Sequence, residues 1–130
     1  AVWSIGLLSI DRNDARAAFR TFMTKGVDFL KRGWWITLFP EGTRVPPGKH
    51  VKYKSGGARL ALSQGVPILP VALNSGLCWP KDSIAKRPGT ISVVIGKPIA
   101  TKERSIKEIE TEVEQWIESE SNHLLDICGK

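Results

Sequence analysis

Two short, unbroken apolar runs constrain this chain more than any other feature: WWITLF at 34–39 and VPILPVAL at 66–73. Neither approaches the roughly 20 apolar residues that a membrane span needs. The longer run, Val66–Leu73, is only eight residues and includes two prolines. This portion therefore does not cross a bilayer, although it could lie on one. Both runs are instead too apolar to have one face in water, as strands of a sheet covered on both faces are. β-branched and aromatic content favours strand in WWITLF, and Pro40 ends it. Residues 2–10 (VWSIGLLSI) and 90–95 (TISVVI) read as two further strands.

Helical patterns lie between the strands. Ala15, Ala18, Phe19, Phe22, Met23, Gly26, Phe29 and Leu30 recur at three- and four-residue steps, which predicts a helix over 14–31. Asn13 is its expected N-cap and Gly33 its terminator. Residues 55–64 read as a second helix closed by Gly65, and 105–127 as a third. Ser105 and Glu108 give the third a capping box. Its apolar stripe of Ile106, Ile109, Val113, Trp116, Ile117, Leu124 and Leu125 reads as core, because the opposite face is Glu-rich, and helices that lie in a membrane interface carry Lys and Arg there. The order strand–helix–strand–helix–strand–strand–helix predicts one α/β domain over 1–130, with a largely parallel central sheet flanked by helices. Ligands in such sheets collect beyond the carboxyl ends of strands, here Asp11-Arg12 and Phe39–Arg44.

The net charge of +6 is divided unevenly. Residues 1–100 carry 15 Lys and Arg against 5 acids, whereas residues 101–130 carry 4 against 8. Arg44, Lys49, Lys52, Lys54 and Arg59 form a stretch without an acid. Such a patch attracts anions: phosphate, nucleic acid or an anionic membrane surface. Nucleic acid is disfavoured, since the patch holds one aromatic, Tyr53, and no recognition motif. Cys78 and Cys128 are 50 residues apart, show no metal spacing and read as two reduced thiols.

The segment Phe39-Pro40-Glu41-Gly42-Thr43-Arg44 concentrates the chemistry. A strand stops at Pro40, Gly42 lets the backbone bend, and Glu41 and Arg44 sit on a short loop. The guanidinium fork of Arg44 suits a phosphate. A polar turn with a local Glu–Arg pair accounts for the same residues. FPEGTR resembles the third signature block of the glycerol-3-phosphate and lysophosphatidate acyltransferase family. Ser9-Ile10-Asp11-Arg12 resembles the second block, Val66–Val71 the fourth, and Lys54-Ser55-Gly56-Gly57-Ala58 the family's Lys-x-Gly helix start. Order and spacing agree over about residues 5–75.

The resemblance implies a glycerol-3-phosphate acyltransferase-like fold. It implies that Arg12, Arg44 and Lys54 bind the acceptor phosphate, that Glu41 serves acceptor binding or site architecture, and that Gly42 and Thr43 shape the loop. The implied reaction moves an acyl group from acyl-CoA or acyl carrier protein to the 2-hydroxyl of 1-acylglycerol 3-phosphate, with no cofactor and no metal. The implied setting is an anionic membrane surface, on the cytoplasmic face of a bacterial inner membrane. A sibling acceptor, or a non-catalytic phospholipid-binding module, would share these residues.

The family's first block, Asn-His-x4-Asp, supplies a His as general base and an Asp that orients it. Neither His50 nor His123 fits it: the residues five positions on are Ser55 and Cys128, and both histidines follow the second block rather than precede it. The expectation is a C-terminal portion whose catalytic pair lies outside these 130 residues, the N-terminus being cut, and which alone is inactive.

Overall fold

The computed structural model describes residues 14–81 and 83–128. Arg12, Asn13 and the expected strand at 2–10 lie outside the described residues. Contacts divide the chain into two compact units, 1–38 and 39–130.

The described part of the first unit carries helix α1, Ala15–Lys31. Asp14 caps it, its carboxylate accepting from the N–H groups of Arg16 and Ala17 at 3.0 Å each. Phe22 and Gly26 are buried, as the periodicity predicts. The helix ends in a Schellman motif. Gly33 N–H donates to Leu30 O at 3.0 Å, and Trp34 N–H donates to Phe29 O at 3.0 Å. Gly33 takes the left-handed φ of 77° that this ending requires. The apolar contact that accompanies the motif is here a ring stack of Phe29 on Trp34, with centroids 5.5 Å apart.

Residues 34–39 depart from the expected buried strand. No described strand pairs with them, and Trp35 and Phe39 are 83% and 70% exposed. Composition marks a segment fit for a sheet, but a strand exists only through a neighbour's hydrogen bonds. None of the described strands supplies them.

The second unit contains α2 (Gly56–Gln64), β1 (Val71–Leu73), the short α3 (Ser75–Cys78), β2 (Val93–Ile95) and α4 (Ile106–Cys128). Helix α2 ends at Gly65, whose φ is 61°, as the sequence predicts. The strands pair antiparallel, Val71 with Ile95 and Leu73 with Val93. The pairing among the described residues therefore differs from the expected parallel arrangement. A parallel neighbour needs a crossover of a dozen or more residues, usually helical. Among the described residues the 74–92 link carries only the four-residue α3, and β2 returns beside β1.

The ladder extends past both strands. Asn74 N–H donates to Ser92 O at 3.4 Å, and Asn74 Oδ1 accepts from Ser92 N–H at 2.8 Å. Gly96 N–H donates to Pro70 O at 2.9 Å, and Ile68 and Ile99 exchange two bonds at 2.8 and 3.0 Å. From the 70–96 step to the 68–99 pair, one strand advances two residues and the other three. The extra residue is a β-bulge at Lys97-Pro98, where proline has no N–H to give a ladder.

Helix α4 packs on β1 and on α2. Ile109 and Leu124 of α4 are buried, as are Ala58, Leu60 and Ala61 of α2 and Ala72 of β1. Trp116 lies against the sheet so closely that a Cβ on Gly96 would stand 2.6 Å from its Cζ2. Buried Thr101 is satisfied by donating to Val66 O at 2.9 Å. The expected capping box forms: Ser105 N–H donates to Glu108 Oε2 at 2.7 Å, and Glu108 N–H to Ser105 Oγ at 3.2 Å.

These bonds favour the carboxylate and hold Glu108 below the usual carboxylate range, the Ser105 side chain contributing most. A depressed folded pKa gives stability that is present above the unfolded value and is lost as pH falls through the folded one. The first turn of α4 is therefore expected to loosen in acid. Amide exchange at residues 106–109, corrected for intrinsic rates, should rise below the ordinary carboxylate range, and the rise should vanish in Glu108→Gln.

Candidate functional site

The site builds from the turn at Phe39–Gly42. Gly42 N–H donates to Phe39 O at 3.0 Å, closing a β-turn with Pro40 at the second position and Gly42 at the fourth, both favoured there. Gly42 has φ 68°, a conformation that a side chain makes costly. Space forbids a side chain as well. A Cβ on Gly42 would stand 2.8 Å from Lys54 Cε and 3.1 Å from its Nζ. The Lys54 side chain thus lies along the bare backbone of the turn, and the Lys54 backbone N–H donates to Pro40 O at 2.9 Å. Residues 12 apart in sequence meet because glycine leaves room.

Lys54 also stands just before α2. Ser55 does not cap that helix; its hydroxyl instead accepts from Arg59 Nε at 3.1 Å. The first N–H bonded into the helix is that of Arg59, to Ser55 O at 2.9 Å. The N–H groups of Gly56, Gly57 and Ala58 therefore belong to the helix's positive end, which favours an anion.

Arg44 is placed by an aromatic ring. Its guanidinium carbon lies 5.4 Å from the centroid of Trp79, and Lys86 Nζ lies 4.6 Å from the same ring. The Trp79 indole N–H donates to Ser83 O at 2.9 Å, which fixes the ring. Sequence reasoning missed Trp79. The signal available was a lone tryptophan followed by Pro80 and several bases, which says nothing of a cation 35 residues upstream.

The segment leading to Lys54 is fastened to α4. His50 Nε2 lies 2.7 Å from Glu114 Oε1, and Tyr53 Oη donates to Glu118 Oε1 at 2.8 Å. Burial, then the bond to Glu118, pushes the Tyr53 phenol well up, so it stays a donor. His50 is engaged in this clasp and stacks on Tyr53, with ring centroids 6.3 Å apart.

The structure thus brings Glu41, Gly42, Thr43, Arg44 and Lys54 into one loop-and-helix-start region, with Trp79 beside it. Arg12 lies outside the described residues. Arg44 and Lys54 are both solvent-exposed, and Glu41 is half-buried. An exposed lysine at a helix start and an exposed arginine on the adjoining turn are the kinds of group that suit a dianionic head group arriving from solvent or from a surface.

A profile of the acyltransferase family matches residues 1–74. The chain belongs to the acyltransferase family. The match spans the turn, Lys54 and the start of α2. The chain is 41% identical over 121 residues to the 1-acyl-sn-glycerol-3-phosphate acyltransferase of Pseudomonas aeruginosa, covering 88% of this chain and 47% of that one. It is 30% identical over 119 residues to the enzyme of the same name from Cocos nucifera, covering 91% of this chain and 35% of that one. A crystal structure of the 1-acyl-sn-glycerophosphate (LPA) acyltransferase from Thermotoga maritima superposes with a TM-score of 0.73 at 31% identity, over 78% of this chain and 43% of that one. The α/β acyltransferase fold expected from the sequence is thereby established. This acyltransferase chain spans half or less of the length of each of these relatives.

Proposed function

We propose that this chain is the acceptor-binding portion of an O-acyltransferase that esterifies the 2-hydroxyl of 1-acylglycerol 3-phosphate to give phosphatidate. The observation that carries the reading is the FPEGTR turn, in which Lys54 lies across Gly42 with Arg44 two residues on, in a chain whose relatives bear that enzyme's name. Arg44 and Lys54 neutralise the acceptor phosphate, and the start of α2 adds its N–H groups. Glu41 and Thr43 shape the approach.

In the reaction the acceptor oxygen attacks the carbonyl of an acyl thioester carried by coenzyme A or acyl carrier protein. A C–O ester bond forms and the C–S bond breaks. The hydroxyl proton passes to a base and on to the leaving thiolate. No His of this chain stands in the Asn-His-x4-Asp pattern, so the base is supplied from outside these residues. The acceptor is a lipid, so the proposed reaction takes place at a membrane surface, and the setting we propose for it is the cytoplasmic face of a bacterial inner membrane. The basic stretch from Arg44 to Arg59 favours an anionic one. No helix among the described residues is long and apolar enough to cross a membrane.

The expected result with the purified 130-residue chain is binding of glycerol 3-phosphate, seen as line broadening of its phosphorus resonance, without turnover of acyl-CoA and 1-acylglycerol 3-phosphate above background. Robust turnover would overthrow the assignment of the base to residues outside this chain. Absence of phosphate binding would overthrow the acceptor-site reading.

A further inference from the structure

The loop after α3 is closed on itself. Arg87 N–H donates to Cys78 O at 2.7 Å, joining the two ends. Within it Ser83 N–H donates to Pro80 O at 3.3 Å, the Trp79 indole N–H to Ser83 O at 2.9 Å, and Ser83 Oγ to Ala85 O at 2.9 Å. A short segment with adjoining ends, held by its own groups, is an Ω-loop, a form that frequently carries function. Its internal bonds are spent on presenting an apolar tip. Ile84 is 100% exposed and Trp79 is 47% exposed.

Single exposed apolar residues are ordinary, but this one stands in a particular setting. The loop is built to hold it, an amphipathic tryptophan stands at its base with two cations against its ring, and the loop's own sequence is basic. Lys81, Lys86 and Arg87 outnumber the one acid of the stretch, Asp82. Arg44 adds a further charge against the Trp79 ring, on which Lys86 also lies.

We infer that residues 79–87 form a membrane-docking loop that inserts Ile84 into the head-group region of an anionic bilayer. Ile84 enters the apolar layer. Trp79 sits at the boundary, where one side of an indole is apolar and the other wet. Lys81, Lys86 and Arg87 meet the lipid phosphates. Charge complementarity favours an anionic lipid surface over a symmetric pairing of two copies through this loop, which would bring like charges together. The contact of Arg44 with Trp79 joins the docking loop to the FPEGTR turn, so a lipid phosphate in the plane of the membrane lies within reach of the acceptor site. This last link rests on the acceptor reading above; the docking itself does not.

The test is co-sedimentation of the full chain with vesicles of phosphatidylcholine alone and of phosphatidylcholine mixed with phosphatidylglycerol. Glycerol 3-phosphate binding is measured on the same proteins. Wild type is expected to bind the anionic vesicles and to release them as salt rises. Ile84→Asp should weaken that binding about tenfold or more, the scale for failing to bury one large aliphatic side chain, while leaving glycerol 3-phosphate affinity unchanged. Lys81→Glu should weaken it about fivefold or more. Ile84→Asp binding as tightly as wild type, or wild type ignoring anionic vesicles, overturns the inference. So does Ile84→Asp abolishing a dimer whose wild-type form ignores vesicles. Phosphate binding without vesicle binding would defeat the docking loop and leave the acceptor site standing; vesicle binding through Ile84 without phosphate binding would do the reverse.

Discussion

Arg44→Ala is expected to weaken glycerol 3-phosphate binding by about tenfold to a hundredfold, the range for losing a hydrogen-bonded charge pair of about 1.5–3 kcal/mol. Arg44 sits at the end of the FPEGTR turn with its guanidinium against Trp79. The ring limits where the fork can point, and a planar fork offers a phosphate two parallel bonds. Arg44→Lys keeps the charge but loses the fork and the stacking plane, so an intermediate loss is expected. Trp79→Ala leaves Arg44 in place and frees it, and should cost several-fold through lost placement. Titration of the phosphorus resonance of glycerol 3-phosphate with each variant checks the order. Equal affinities for wild type and Arg44→Ala would remove Arg44 from the site.

The second large effect concerns stability. Gly96→Ala places a Cβ 2.6 and 2.7 Å from Trp116 Cζ2 and Cε2 and 2.9 Å from Pro70 Cγ. These neighbours are not flexible chain ends. The indole belongs to α4, which packs on β1, and Pro70 accepts the Gly96 ladder bond through its carbonyl. The strand and α4 must separate or Trp116 must leave its rotamer, at a cost of about 1–3 kcal/mol. That is a large fraction of the roughly 5–15 kcal/mol that holds a domain folded. Urea unfolding should show a lower midpoint with an unchanged slope. Trp116→Leu should recover part of the loss in the Gly96→Ala background, although alone it destabilises; strict additivity of the two would argue against the contact.

Much of this was legible in the sequence because local rules fix it. Gly33 and Gly65 stop α1 and α2 through left-handed backbone, and the Ser105–Glu108 box starts α4 through bonds spanning three residues. The N-cap of α1 falls on Asp14, with two bonds from its carboxylate, one position past the expected Asn13. What escaped depends on distant neighbours. WWITLF has strand chemistry but no described partner, so Trp35 and Phe39 stand largely in solvent. The pairing of β1 with β2 is antiparallel because the link between them holds no full crossover helix among the described residues, a matter of loop content rather than of strand composition.

The site divides in the same way. FPEGTR and Lys54 were recognisable as words of a family pattern, and the bare Gly42 explains why Lys54 lies beside the turn. Trp79 was not recognisable, since its role rests on a ring meeting a cation far upstream in the chain. The clasp of His50 and Tyr53 on Glu114 and Glu118 was hidden for the same reason, its bonds joining residues 64 and 65 positions apart.

The most direct measurement of the central claim compares two ligands that differ only in the phosphate: 1-acylglycerol 3-phosphate and the corresponding 1-acylglycerol. Both are titrated into the 130-residue chain below their aggregation limits by calorimetry. The account predicts binding of the phosphorylated lipid, weakened by salt and by Arg44→Ala, and at least tenfold weaker binding of the neutral one, on the order of the charge-assisted bonds lost. Equal affinity for both lipids, or affinity indifferent to Arg44, would contradict it.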